Sequence, residues 1–103
     1  MLRFKQWDCD VILGQYENGR AALQLLDHET GEPICKATTN IPCIEVPDGH
    51  VLIKDYAENE GVLQALIEAG YISWPRVEYF KLMPFGKVIF YLCELENWDA
   101  KYE

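Results

Sequence analysis

Few side chains in this sequence have the types and spacing that catalysis needs. The only histidines are His28 and His50, and the triplet Asp27-His28-Glu29 has the composition of a solvated turn between strands. Cys93 lies in an apolar run, where burial raises the pKa of a thiol and works against nucleophilic attack. The glycines are dispersed and form neither a dinucleotide-binding loop nor a Walker loop. We therefore expect no catalytic residues, no enzymatic activity and no cofactor.

Four cysteines are the remaining candidates for site chemistry: Cys9, Cys35, Cys43 and Cys93. No two of them form a C-x-x-C pair, and Cys35 and Cys43 with a histidine match no structural zinc spacing. Because an unpaired cysteine behaves as a small core residue, buried free thiols are predicted and a metal site is not. A zinc-dependent hydrolase or a cysteine enzyme is an alternative whose ligands or base have no recognisable position in the sequence.

The composition predicts one folded domain over residues 1–103. Half of the residues are apolar and 13% are aromatic, which is enough to offset the conformational entropy lost on folding. No apolar run approaches the length of a membrane-spanning helix, and the N-terminus does not resemble a secretory signal. A cytoplasmic protein without a membrane partner is expected.

The charge balance is strongly acidic, with 17 acidic residues against 9 basic residues and a net charge of −8. A field of this sign repels a phosphate backbone, so direct binding to nucleic acid is disfavoured. The same field favours docking on a basic protein surface, including the groove of a nucleic-acid-binding protein. The alternative is an acidic surface that is simply solvated and keeps the protein soluble.

Turn signals divide the sequence into short strands. The predicted strands are residues 9–16, 21–26, 34–39, 51–54, 76–83 and 87–95. Asn18-Gly19 is the pair that a type I′ hairpin prefers, and the first three strands should form a meander. Residues 41–46 contain Pro42 and predict an irregular link or a short edge strand. The last strand is apolar on both faces and should lie near the middle of a sheet.

One helix stands out after the fourth strand. Asp55 and Glu58 have the spacing of a capping box, and the helix should run to Ala69, with Gly70 as its left-handed stop. Its apolar stripe, which must face a sheet, consists of Val62, Leu63, Leu66 and Ile67. The element order therefore predicts an α+β fold in which an antiparallel sheet of about five to six strands packs on one main helix.

Two features of the sequence are candidate binding surfaces. The first is the acidic start of the helix, where a set of side chains is expected to project together: Tyr56, Glu58, Asn59 and Glu60. The alternative is that these acids only stabilise the positive end of the helix dipole. The second is Trp74, which precedes Pro75 in a connection and is a candidate exposed anchor for a partner or for a second copy of the chain. Packing in the core is the alternative for Trp74.

Residues 54–66, followed by Glu68-Ala69-Gly70, resemble a family of small proteins of unknown function that are carried on bacterial conjugative elements and phages. Four upstream segments are also similar to that family: Asn18-Gly19-Arg20, Gly31-Glu32-Pro33, Ala37-Thr38 and Asn40-Ile41-Pro42. The similarity would cover roughly residues 10 to 95. It implies a setting on a mobile element and supplies no catalytic residues.

Together these patterns predict an accessory protein of a mobile element or phage that binds a protein partner through its acidic face. By analogy with small acidic proteins of such elements, an inhibitor of host defence of the anti-CRISPR type is the expected role. The alternative is a structural or assembly module that associates with itself, as a homodimer, through a sheet edge or a ridge of small residues on the helix. That ridge consists of Gly61, Ala65 and Ala69.

Overall fold

The computed structural model describes residues 2–96. Seven strands and one α-helix occur in this range, with a single 3₁₀ turn, Ala57–Asn59, before the helix. The strands are β1 (Leu2–Phe4), β2 (Trp7–Gln15), β3 (Ala21–Asp27), β4 (Pro33–Lys36), β5 (His50–Lys54), β6 (Val77–Met83) and β7 (Gly86–Glu94), and the helix is α1 (Val62–Glu68). The α+β class is confirmed. The short strand β1 was not predicted.

The strands form two antiparallel sheets, so the expected single sheet of five to six strands on the helix is wrong. The first sheet has the order β1-β2-β3-β4 and the second has the order β5-β7-β6. The sheets meet at one bridge between Thr38 and Ile53, beside which the Thr39 N–H donates to the Leu52 carbonyl. The prolines of the following irregular link, Pro42 and Pro47, cannot extend this pairing because they lack an N–H. The predicted meander and the central position of β7 are both confirmed.

The hairpin between β2 and β3 lies where the sequence predicts it but has a different turn. The Gly19 N–H donates to the Tyr16 carbonyl, and the Tyr16 N–H donates to the Arg20 carbonyl. Gly19 has a φ of 87°, whereas Asn18 is not among the residues with positive φ. A type I′ turn needs both central residues at positive φ, so that prediction is wrong. Instead the Asn18 side chain accepts the Arg20 N–H, which favours a three-residue loop closed by Gly19.

The predicted helix is shorter than expected at its start. Asp55 does not form a capping box with Glu58, because its two carboxylate oxygens accept the N–H groups of Gly61 and Leu63 at 2.7 and 3.4 Å. Gly61 has a φ of 97°, which interrupts helical geometry before α1. At the other end Gly70 has a φ of 81°, and the Tyr71 N–H reaches the Leu66 carbonyl, as expected for the predicted glycine stop.

A hydrophobic core lies between the helix and both sheets. Val62 and Leu66, from the predicted stripe, are fully buried against residues of the first sheet such as Leu25 and of the second sheet such as Ile53. Phe4 of β1 lies 3.9 Å from the position that a Cβ atom on Gly61 would take. Part of the small-residue ridge thus faces the protein's own first strand. Within residues 2–96, no helix has the length and apolar character that crossing a membrane requires.

Candidate protein-binding surface

The predicted acidic segment is only partly a surface. Glu58 and Glu60 are exposed, and Lys5 donates a 2.7 Å hydrogen bond to the backbone carbonyl of Glu58. Tyr56 is half-buried and packs edge-on against Phe90 of β7, with 5.8 Å between the ring centroids. Two of the four predicted residues therefore offer free carboxylates, while Tyr56 contributes mainly to packing.

Asn59 does not project from this segment, so its predicted place on the surface is wrong. The residue is only 2% exposed, and its side-chain amide donates to the backbone carbonyls of Lys36 at 2.7 Å and Lys54 at 3.3 Å. Lys36 ends β4 and Lys54 ends β5. One amide therefore joins the first sheet, the second sheet and the 3₁₀ turn that leads to α1.

Trp74 is exposed, together with other large apolar side chains along β6 whose exposure the sequence does not predict; Phe80 and Leu82 lie on one face of the sheet and Val77 on the other. Along β6 and at its two ends, five large apolar side chains are between 41% and 76% exposed. We call these residues the hairpin patch: Trp74, Val77, Phe80, Leu82 and Phe85. The sequence indicates this surface only through the many apolar residues of β6. An apolar strand next to a central strand is normally predicted to be buried, because the sequence does not show that its outer side lacks a neighbouring strand.

The hairpin patch follows an open sheet edge. In the order β5-β7-β6, no strand among residues 2–96 pairs with the outer side of β6. Three other edges are short or covered: β1 has three residues and packs against α1, β4 receives Asn59, and β5 is bridged by Thr38. Residues 10–15 of β2 extend beyond β1, whose pairing with β2 ends at Cys9. An open edge with apolar side chains is a template for pairing with another chain.

The charge of this surface differs from that of the whole protein. From Trp74 to Cys93 the basic residues are Arg76, Lys81 and Lys87 and the one acidic residue is Glu78, in a chain whose net charge is −8. The Lys87 ammonium lies 5.4 Å from the centroid of the Phe80 ring, so the aliphatic part of Lys87 borders the patch. An apolar centre with a polar margin is typical of a protein interface.

A cleft of about 700 Å³ lies on another part of the surface, between the β2–β3 hairpin and the link before β5. Its main polar group is Arg20, whose guanidinium donates to the carbonyls of Ile41 and Ile44 at 2.9 and 2.7 Å. His50 at its margin contacts the carbonyl of Asp48 in its own turn. Because the Arg20 guanidinium binds two backbone carbonyls of the link, it fixes the conformation of the link beside the cleft.

Three of the four cysteines lie in or beside the core, whereas Cys43 is exposed, so the prediction of buried thiols does not hold for Cys43. Cys9 and Cys93 are buried, Cys35 is half-buried, Cys43 is exposed, and all four thiols are free. Burial raises the pKa of the Cys35 thiol to about 11 and that of Cys93 to about 12. Burial also raises the pKa of Cys9, and the nearby Asp27 carboxylate adds to the effect. Within residues 2–96, no three histidine, cysteine or acidic side chains are grouped as metal ligands would be.

These thiols predict a loss of stability at alkaline pH. The folded state keeps its Cys93 proton up to a pKa of about 12, whereas the unfolded chain releases it near the ordinary value of 9.0. Because the unfolded state then binds fewer protons, the free energy of unfolding should fall as the pH rises above 9.0. Denaturant titrations of the wild type and of Cys93→Ala at several pH values measure the effect. The variant should show a shallower fall, and equal slopes would contradict the assignment to Cys93.

Comparisons with protein-family models, curated proteins and solved structures found no match to this chain. The similarity to a family of mobile-element proteins therefore stays a prediction. Within residues 2–96, the surface feature with the clearest chemical meaning is the open edge of β6.

Proposed function

We propose that this protein is a non-enzymatic binding module that docks on another protein chain through β6 and the hairpin patch. The observation that carries the proposal is the coincidence of an open strand edge with five exposed large apolar side chains. Each feature alone is costly in water, since the edge invites unwanted pairing and the side chains expose apolar surface. A partner that adds a strand to β6 satisfies both features at once.

The chemistry of the edge suits a protein segment in extended conformation. A partner strand would form backbone hydrogen bonds with β6 and would meet Phe80 and Leu82 on one face of the sheet. Val77 lies on the opposite face. Aromatic anchors such as Phe80 and Trp74 bury a large area with few rotatable bonds, so they contribute strongly to protein interfaces.

A second candidate is docking on a basic protein surface through the acidic face, which would suit an inhibitor of host defence encoded by a mobile element. The observation that favours it is the exposure of Glu58 and Glu60 on a chain with a net charge of −8. Such docking would be screened by salt, whereas docking through the hairpin patch would not.

Affinity capture separates the two candidates. The bait is compared as wild type, as Phe80→Lys, as the double variant Glu58→Lys/Glu60→Lys, and as the control Ile12→Lys, which places the same charge on an exposed apolar residue of β2. The prey is a bacterial lysate supplemented with a second, differently tagged copy of the chain, at low and at high salt.

We expect Phe80→Lys to lose captured protein at both salt concentrations and Ile12→Lys to retain it. Loss in the double glutamate variant alone, and only at low salt, would favour the acidic face instead. Equal capture by Phe80→Lys and the wild type would contradict docking through the hairpin patch.

A further inference from the structure

We infer that the chain which pairs with β6 is β6 of a second copy, in an antiparallel two-fold arrangement centred on Phe80. The inference rests on the proposed function, since it names the partner of the same edge. It is carried by three properties of β6: the direction of its free backbone groups, the symmetric placement of its apolar side chains, and its matching charges.

The free backbone groups of β6 select the centre of the pairing. Met83 and Gly86 close the β6–β7 hairpin around a two-residue turn. Hydrogen-bonded and non-hydrogen-bonded pairs alternate from this closing pair, so Glu78, Phe80 and Leu82 direct their N–H and C=O groups to the open side. Phe80 is the middle one of these three residues. With Phe80 opposite its own copy, every outward residue meets another, whereas a shift of register along the strand leaves some without a partner.

The side chains of β6 complement themselves in this register. Antiparallel pairing about Phe80 places the following residues opposite one another: Phe80 and Phe80, Glu78 and Leu82, Tyr79 and Lys81, Val77 and Met83. The two Phe80 rings lie on the same face with about 5.5 Å between their Cα atoms, a spacing at which aromatic side chains make contact.

The ends of the hairpin patch are also directed toward one another. Trp74 lies six residues before Phe80, and Phe85 lies five residues after it. An antiparallel pair therefore directs the end of β6 that follows Trp74 toward the end of the second copy that precedes Phe85, on both sides of the two-fold axis. Within β6 itself, Phe80, Leu82 and Val77 would then be at the interface, with Val77 beside Met83 of the second copy.

Charges on β6 and β7 match in the same arrangement. Lys81 faces Tyr79 of the second copy, which permits a cation–π contact. Glu78 lies two strands from Lys87 of the second copy on the same face, about 10 Å between Cα atoms at the usual strand spacing. Extended glutamate and lysine side chains can span that distance above Leu82. No acidic residue is placed opposite another acidic residue.

The two-fold arrangement uses the β6 edge of both copies at once. Because the contact is isologous, each copy presents the same strand and no β6 edge is left for a third copy. Self-pairing through β6 therefore closes at this edge instead of extending along it into a fibre.

Light scattering coupled to size-exclusion chromatography tests the inference, from low to high micromolar protein. We expect the wild type and Ile12→Lys to have twice the mass of the 11.9 kDa chain. Phe80→Lys and Phe80→Glu should each have the monomer mass, since each places two like charges at the two-fold axis. An equimolar mixture of Phe80→Lys and Phe80→Glu should restore the double mass, because opposite charges then meet at the axis. Circular dichroism of each variant checks that the fold is retained.

A monomeric wild type, a dimeric Phe80→Lys or a mixture that stays monomeric would each overturn the two-fold pairing. These results are separable from failure of the proposed function. A monomeric wild type that captures another protein and loses it with Phe80→Lys removes self-pairing and leaves the binding role in place. Variants that match the wild type in both mass and capture contradict both.

Discussion

Replacing Leu25 with alanine should destabilise the fold by about 2–5 kcal/mol, the usual range for a fully buried leucine. Leu25 is completely inaccessible to solvent and lies in β3, paired with Val11 of β2 on one side and with Cys35 of β4 on the other. Its side chain therefore belongs to the centre of the first sheet and to the core that both sheets share. The substitution removes transfer free energy and also leaves a cavity that close-packed neighbours cannot fill.

Equilibrium unfolding in urea, followed by tryptophan fluorescence, measures the effect of Leu25→Ala. The matched control is Leu13→Ala on the neighbouring strand β2, where the leucine is exposed. Leu13→Ala should lower the free energy of unfolding much less than Leu25→Ala does, because less buried apolar surface is lost and no enclosed cavity forms. A similar cost at both positions would contradict the placement of the core between the sheets.

Loss of the Asn59 amide should cost about 1–3 kcal/mol, since a buried polar group without a partner is expensive. Asn59→Ala leaves the carbonyls of Lys36 and Lys54 without their shared donor. These carbonyls lie at the ends of β4 and β5, so the substitution should loosen the junction between the sheets and the start of α1. The expected effect is therefore on stability, in contrast to the binding role that the sequence suggests for Asn59.

Two further variants test whether the hydrogen bonds of Asn59, and not its size or its place in the chain, stabilise the fold. Asn59→Asp keeps the size of the side chain but has no N–H to donate, so it should be at least as unstable as Asn59→Ala at neutral pH. Glu60→Ala changes the adjacent exposed residue and should have an effect within about 0.5 kcal/mol. Wild-type stability of Asn59→Asp in urea unfolding would show that the two hydrogen bonds do not hold the junction.

The local elements of this fold follow well from the sequence because they depend on short-range chemistry. Alternating apolar residues predict β2 and β3, and the apolar run at the end of the sequence predicts a central β7. Gly70 ends the helix as expected, since a residue without a Cβ adopts positive φ at little cost. The start of α1 differs from the prediction. There Asp55 caps the N–H groups of Gly61 and Leu63, and Asn59 turns inward to the carbonyls of Lys54, five residues away, and of Lys36, 23 residues away in the sequence.

The candidate binding surface also depends on contacts that the local sequence does not specify. The sequence by itself determined the acidic charge of the protein and predicted its α+β class, and it left Trp74 as either an exposed anchor or a core residue. Only the tertiary structure decided that the strands divide into two sheets, that Asn59 is buried and that β6 is an open edge. Exposure of Phe80 and Leu82 depends on which strand lies beside which, and strand order is set by contacts between residues distant in sequence. An apolar strand can be covered by a neighbouring strand of its own chain or by a binding partner, and its sequence does not distinguish the two cases.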